Sequence, residues 1–160
     1  MNGEKVPPVD ARGELDELTA AFFRAVSFQQ GEKPPYAVLY SLFIDEGLLI
    51  KNSTATPEIS SVSQFIAPRE QLVGSGQLTS FTEIELSEIT EIFGNVAHRF
   101  STYEKSGTLN GTPFSARGII STQFILTPGG WKMSAKAWDD ERPGLTIPKQ
   151  YEPAEGGASG

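Results

Sequence analysis

The sequence predicts one α+β domain in which three N-terminal helices pack on a strongly curved antiparallel sheet. Three observations predict it: apolar residues at helical spacing in the first half, two-residue spacing from residue 79 onward, and turn residues that divide this second half into strands. The chain has 160 residues, 38% of them hydrophobic, which suits one domain of roughly 100–200 residues with a single core.

The two ends of the chain lack this patterning. Residues 1–13 contain Pro7-Pro8 and mixed charges, and residues 143–160 contain three prolines and end in small residues. We therefore expect a flexible N-terminal arm over 1–13, a folded domain over 14–142, and a Pro/Gly-rich C-terminal tail that is either loose or draped over the surface.

The first two helices are predicted from apolar spacing and from their end signals. Apolar residues recur at helical spacing over 14–28, with acids in the first turn. Gly31 and Pro34-Pro35 end this helix. The second helix is expected to begin near Pro35, a favourable first position for proline, and to stop at Gly47. Its predicted buried face holds Tyr36, Leu39, Tyr40 and Phe43.

A short strand over 48–50 is expected before a third helix over 61–73. Ser61 and Gln64 have the spacing of a capping box, in which each side chain bonds the other residue's backbone N–H. Pro68 is expected to break or kink this helix, because proline has no N–H to donate.

The second half of the chain predicts an antiparallel meander. Gly94, Asn110-Gly111 and Pro128-Gly129 separate its strands, and Asn-Gly is a strong hairpin signal. The predicted strands cover residues 79–92, 95–105, 114–126 and 131–138.

The order of these elements and the last strand, GGWKMSAKAWDDERPG, resemble the nuclear-transport-factor-2-like superfamily. That superfamily includes SnoaL-like polyketide cyclases, ketosteroid isomerase and scytalone dehydratase, and the resemblance covers residues 15–142. It implies a cystatin-like cone: a curved sheet wrapped around helices, a cavity at the open end, and a dimer formed through the sheet. Because members include enzymes and non-enzymes, the fold alone does not assign a function.

The turns also predict which side chains face into the cone. Two-residue loops pair Phe124 with Met133, Thr122 with Ala135, and Arg99 with Thr122, and paired residues share a face. The predicted inner face holds Ala97, Arg99, Ser101, Tyr103, Ile120, Thr122, Phe124, Leu126, Trp131, Met133, Ala135 and Ala137. The predicted outer face holds His98, Phe100, Gln123, Lys132, Ser134, Lys136 and Trp138.

Glu88 has two predicted positions. Continuing the register through the Gly94 turn puts Glu88 near Arg99, inside the cone. The alternation breaks between Ile84 and Ile92, which predicts a bulge near Ser87 or Glu88 that would turn Glu88 outward.

Nine residues are the candidates for lining a ligand cavity: Arg99, Ser101, Tyr103, Thr122, Glu88, Tyr36, Tyr40, Asn52 and Trp131. Arg99 is interpreted either as a structural partner of Glu88 or another acid, or as a clamp for a ligand carboxylate. Tyr36 and Tyr40 lie one helical turn apart, either at the cavity mouth or as ordinary core packing. Trp131 is expected mainly in the core.

Two functions follow from these residues. The first is a module that binds a small, partly apolar ligand without identifiable catalytic residues. The second is an isomerase, dehydratase or cyclase, whose base would be Glu88 or Asp45. The resemblance places the aspartate base of ketosteroid isomerase at Asn52, whose amide cannot accept a proton at neutral pH. The only histidine, His98, is predicted to face away from the cavity.

The composition excludes several classes of binding partner and of chemical site. The formal charge of −7 argues against nucleic acid and anionic membranes, and the absence of cysteine excludes disulfides, thiolate catalysis and zinc–thiolate sites. We expect no metal and no cofactor. The N-terminus lacks the apolar region of a signal peptide, so we expect a cytoplasmic protein. Apolar residues on the outer sheet face, namely Phe100, Ile119, Ile125 and Trp138, predict a homodimer.

Overall fold

The computed structural model describes residues 10–154, which form three helices and one six-stranded, curved sheet. The predicted α+β class is confirmed. Residues 1–9 of the predicted arm and 155–160 of the predicted tail lie outside the described residues. The helices are α1 (Ala11–Val26), α2 (Leu39–Leu42) and α3 (Val62–Gly74), and short 3-10 turns occupy Tyr36–Val38 and Lys149–Tyr151.

The sheet has the strand order β2-β1-β6-β5-β4-β3. All neighbours run antiparallel except β1 and β6, which are parallel. The strands are β1 (Phe43–Lys51), β2 (Glu58–Ser60), β3 (Leu78–Phe93), β4 (Val96–Leu109), β5 (Thr112–Thr127) and β6 (Gly130–Asp140). The four strands expected after residue 79 are all present, and each is longer than its prediction.

The second helix is much shorter than expected. It ends at Leu42, and the strand begins at Phe43 instead of after Gly47. The reason is tertiary: Phe43 lies opposite Met133 in the parallel pairing of β1 with β6, so the chain must already be extended there. Tyr40, expected to be buried, is 56% exposed.

The third helix begins as predicted, with both bonds of the Ser61–Gln64 capping box present. It does not end at Pro68 but continues to Gly74. Pro68 is in its second turn, and the Arg69 guanidinium donates a bond of 2.8 Å to the Phe65 carbonyl one turn earlier. The Arg69 side chain thus donates to a backbone carbonyl next to the position where Pro68 has no N–H to donate.

Two bulges decide which side chains point into the cone. The register of β4 with β5 is the predicted one throughout, including Arg99 opposite Thr122. In β6 the pairing shifts by one residue after Met133, so Thr122 faces Lys136 and not Ala135. Lys136 and Trp138 therefore point inward, contrary to the prediction, while Ala135 and Ala137 point outward.

The bulge in β3 lies at Leu86, one residue before the predicted position. Glu88 pairs with Ser101 and stays on the inner face, so the bulge does not turn it outward. On the other side of the bulge, Glu85 pairs with Tyr103 and Glu83 pairs with Lys105. Two acids therefore face inward where uninterrupted alternation would have placed Leu86 and Ile84.

The first part of the predicted tail is held against the outer face of the sheet. The Tyr151 carbonyl accepts hydrogen bonds from the hydroxyls of Ser87 and Thr102, at 2.5 and 2.6 Å. The Tyr151 ring packs edge-on against Phe100, and Arg117 bonds Glu152. Residues up to 154 are thus draped over the sheet.

The core lies between α1, α3 and the inner face of the sheet, and its largest fully buried side chains include Trp131, Tyr103 and Phe124. Two glycines make room there. A Cβ at Gly118 would collide with the Tyr103 ring, and one at Gly107 would collide with the Phe114 ring. Across residues 10–154, every helix is too short or too polar to span a bilayer.

Candidate functional site

A cavity of about 300 Å³ opens between α1, α3 and one end of the sheet's inner face. We call it the inner cavity. Its apolar lining comes from all three sides and includes Phe22, Val26, Tyr36, Phe65, Pro68, Leu72, Leu78, Phe81, Leu109, Phe114, Ile120 and Trp138. Its charged lining consists of Lys51, Arg69, Glu83 and Lys105.

Glu83 is the acid of the inner cavity. Among residues 10–154, no side chain hydrogen-bonds its carboxyl and no basic nitrogen lies within 4.0 Å of it. Burial raises the pKa of Glu83 to about 7, against the lowering effect of Lys105, Lys136 and Arg69. A carboxyl with this pKa exchanges protons near neutral pH, as a general acid or base must.

Lys136 lies behind the cavity wall, one inward position deeper along β6 than Trp138. Its side chain is completely buried, and Nζ donates one bond of 2.9 Å to the Thr122 hydroxyl. Nζ also lies 4.1 Å from the centre of the Phe22 ring, a cation–π contact. Burial lowers the pKa of Lys136 to about 8, although Glu83 raises it.

Arg69 enters the cavity from α3. Its guanidinium stacks 3.5 Å above the Phe65 ring and donates one hydrogen bond, to the Phe65 carbonyl. Within the described part of the chain, no carboxylate lies within 4.0 Å of it. Burial lowers the pKa of Arg69, while Tyr36, Glu58 and Glu83 oppose this.

Lys105 is the paired cation of the cavity. Its Nζ lies 3.1 Å from Asp140, and the Tyr103 hydroxyl donates to the same carboxylate. Burial, and then the bond to Asp140, raise the pKa of Tyr103. Asp140 is therefore an anchor between strands β4 and β6.

Arg99 lies further along the inner face and does not line the inner cavity. It is 4% exposed and makes a two-bond fork with Glu85, at 2.8 and 3.0 Å, plus a 2.6 Å bond to Asp16. Ser101 donates to the same Glu85 carboxylate at 2.6 Å. We call Arg99, Glu85, Asp16 and Ser101 the Arg99 cluster.

The bonds inside the Arg99 cluster satisfy its charges. Burial alone would lower the pKa of Arg99, but the bonds to Glu85 and Asp16 raise it above its ordinary value. The bond from Arg99 lowers the pKa of Asp16 despite partial burial. Glu88, the partner named from the sequence, is more distant at 3.9 Å and bonds mainly to Arg12 and Thr90.

The structure separates the nine candidate residues. Tyr36 lines the inner cavity, and Tyr40 is exposed at the surface. Thr122 bonds Lys136 and Trp131 is buried in the core. Asn52 is exposed beside a groove between the outer sheet face and residues 145–148. Arg99, Ser101, Tyr103 and Glu88 face inward but belong to closed networks.

His98 is on the outer face, as predicted, where its Nε2 contacts Glu91 at 2.6 Å. Asp45 is exposed and does not line the inner cavity. In residues 10–154, no three His, Asp or Glu side chains are grouped to hold a metal ion.

Sequence reasoning missed five charged residues that line or lie behind the inner cavity: Glu83, Lys136, Arg69, Lys105 and Lys51. The first two were missed because each lies beyond a bulge. One signal for the β6 bulge was present, since Trp138, a large apolar residue, alternates with Lys136 and would otherwise face outward. Arg69 carried no signal, because a lone arginine on a helix is usually solvated.

No family model matches the sequence, and no curated protein matches it either. Solved structures do match. A nuclear transport factor 2-like superfamily protein from Salmonella enterica superposes with a TM-score of 0.65 at 16% identity, covering 91% of this chain and 93% of that one. An NTF2-like protein with a cystatin-like fold from Novosphingobium aromaticivorans gives 0.62 at 16% identity, covering 81% and 80%.

A hexachlorocyclohexane dehydrochlorinase, LinA-type3 from Novosphingobium barchaimii, superposes with a TM-score of 0.68 at 12% identity and covers 84% of this chain and 88% of that chain. These similarities establish the fold. The protein has the nuclear-transport-factor-2-like, cystatin-like fold that its sequence predicted.

Proposed function

We propose that the protein binds a small, partly apolar organic molecule in the inner cavity. The observation that carries this proposal is the cavity itself: about 300 Å³ of space with a mostly apolar wall, half of it aromatic, and a few converging polar groups. This volume is at the lower end of the range for small-molecule sites, and such a lining is typical of them. The fold supports the proposal only as a scaffold that leaves a cavity.

Binding of single-ring probes tests this proposal. Phenylacetamide and phenylacetate, titrated by calorimetry and ligand-observed NMR, are expected to bind the wild-type protein at micromolar to millimolar concentration. Leu72→Trp, which fills the cavity, should abolish binding. Leu48→Trp, on the outer sheet face, is the matched control and should bind as the wild type does. Equal binding to both variants would contradict the proposal.

A second candidate function is proton transfer, as in an isomerase, dehydratase or cyclase. The observation that favours it is Glu83, a cavity carboxyl that has no hydrogen-bond partner within the described residues 10–154 and whose pKa is raised to about 7 by burial. In this reaction Glu83 takes a proton from a carbon beside a carbonyl group, and Arg69 stabilises the charge that develops on the oxygen.

Deuterium exchange at the α-carbon of a ketone tests the second function. With acetophenone in heavy water, the wild-type protein should accelerate exchange, whereas Glu83→Gln should bind the ketone and leave the rate at that of buffer. A wild-type protein that binds acetophenone without accelerating exchange would leave the binding module as the function.

We also infer that a second copy of the chain packs on the outer sheet face. Val96, Phe100 and Ile89 are 46%, 38% and 44% exposed there, and clustered apolar exposure is typical of an interface. Trp138, counted on this face from the sequence, points inward. Light scattering should give a dimer mass for the wild type and for Tyr40→Glu, but a monomer mass for Val96→Glu. A wild-type monomer would contradict this.

A further inference from the structure

The charge of the inner cavity is opposite to that of the chain. The whole protein has 13 basic and 20 acidic residues, yet three basic side chains and one acidic side chain line the cavity. Excess cations inside an acidic protein create a local field that favours an anion. Resting on the proposed function, we propose that the occupant of the inner cavity is an organic carboxylate, bound by Arg69 with its apolar body against the aromatic wall.

Arg69 has the donors that a carboxylate needs. A guanidinium carries five N–H groups, and within residues 10–154 one of them has an acceptor, the Phe65 carbonyl. Stacking on the Phe65 ring holds the guanidinium plane in position and leaves its edge free. A planar edge with free donors matches the two oxygens of a carboxylate in a bidentate pair.

Among residues 10–154, the acids of the protein neutralise one of the three cavity cations and leave Lys51 and Arg69 without a paired carboxylate. Lys105 is paired with Asp140, and Glu83 is the remaining acid of the cavity lining. Among residues 10–154, no carboxylate oxygen lies within 4.0 Å of the basic nitrogens of Lys51, Arg69 or Lys136. The contrast with Arg99, which has two carboxylates bonded to it, shows that this fold can pair an inner arginine fully.

The aromatic lining and the volume of the inner cavity indicate which kind of apolar group would carry the carboxylate. Rings from α1, from α3 and from three strands line it, namely Phe22, Phe65, Phe81, Phe114 and Trp138. The volume of about 300 Å³ corresponds to roughly ten water molecules at about 30 Å³ each. A single-ring carboxylate fits that space, with its ring stacked on the wall and its charge at Arg69.

Matched probe pairs test the proposal. Phenylacetate and cinnamate carry the carboxylate, and phenylacetamide and cinnamamide are neutral molecules of nearly the same shape. Acetate and inorganic phosphate carry charge without the apolar body. Binding is measured by calorimetry and by quenching of Trp138 fluorescence, with Trp138→Phe as the variant that should lose the quenching.

Variants at Arg69 assign the interaction. Arg69→Met keeps most of the side-chain volume and removes the charge, so it should weaken phenylacetate at least about tenfold and leave phenylacetamide unchanged. Arg69→Lys keeps the charge without the fork and should give an intermediate affinity. Arg24→Met, which removes an exposed arginine of α1 outside the inner cavity, is the control for net charge.

The results distinguish a failure of the carboxylate assignment from a failure of the proposed binding function. Carboxylates that bind at least about tenfold more tightly than their amides, with the difference lost in Arg69→Met, support it. Amides that bind as tightly as carboxylates overturn the carboxylate assignment and leave the binding function standing. Acetate or phosphate that binds as tightly as phenylacetate also overturns it. If no probe with a ring binds, both the assignment and the proposed function fail.

Discussion

Arg99 and Arg69 both enter the interior of the cone, but their surroundings differ. Arg99 bonds Glu85, Asp16 and the Thr90 hydroxyl. Among residues 10–154, Arg69 has only a backbone carbonyl and an aromatic ring as partners. A buried charge without a counter-charge lowers the stability of the folded protein. Replacing it by an uncharged side chain of similar size should therefore raise the free energy of unfolding. The Arg99 cluster therefore neutralises its own charges, whereas the cavity end keeps cations without bonded acids among residues 10–154, as the proposed carboxylate site requires.

The largest expected effect is at Arg99. Arg99→Met leaves the Glu85 carboxylate without its main partner and should lower the free energy of unfolding by about 3–5 kcal/mol. Urea denaturation measures this. Adding Glu85→Gln should recover much of the loss, because Asp16 is half exposed and can be hydrated. If the single variant is as stable as the wild type, Arg99 does not hold the fold.

Lys136→Met should have the opposite effect and make the protein more stable. The pKa of Lys136 is lowered to about 8, so below pH 8 the folded protein holds a charge that burial disfavours. Removing this charge favours the folded state, and losing the hydrogen bond to Thr122 opposes part of the gain. The net result should be a free energy of unfolding at pH 7 that is higher by about 1–2 kcal/mol. Between pH 8 and 10.5 the folded lysine is neutral while the unfolded one is charged, so wild-type stability rises there and the advantage of the variant shrinks. A destabilised variant at pH 7 would contradict this.

Glu83 should give a pH dependence of about 1 kcal/mol, reduced by its partial exposure to the cavity. Its pKa is raised from 4.5 to about 7 in the folded state. Between these values the folded protein keeps a proton that the unfolded chain releases, so wild-type stability falls as pH rises from 4.5 to 7. In Glu83→Gln this part of the slope should disappear. Urea midpoints measured from pH 4 to 8 for both proteins check it; parallel curves would place Glu83 in solvent.

The smallest effect is expected at Arg12, which shares partners with Arg99. Arg12 contacts Asp16 and Glu88, but its side chain is half exposed. Arg12→Met should change the free energy of unfolding by less than about 0.5 kcal/mol, since exposed ion pairs contribute little. Equal losses in Arg12→Met and Arg99→Met would show that burial does not distinguish the two arginines.

The sequence predicted the fold and the inward-facing residues of β4 and β5. Asn110-Gly111 fixed the register of β4 and β5 correctly, so Arg99 and Tyr103 were placed on the inner face as observed. Periodicity fails where one residue is added to a strand, and the β3 and β6 bulges moved Glu83 and Lys136 inward. The interrupted apolar alternation predicted the bulge in β3, but it did not predict its exact position. In β6, the small residues at Ser134 and Ala135 concealed the second.

The bulge at Leu86 makes the pairing register of one strand a determinant of chemistry. If Leu86 paired with Tyr103, as in a strand without the bulge, Leu86 and Ile84 would face inward and Glu85 and Glu83 would face outward. Ile84 would then occupy the place of Glu83 at the inner cavity. A shift of one residue in the pairing of β3 would therefore remove the ionisable group from the cavity wall without any substitution in the cavity.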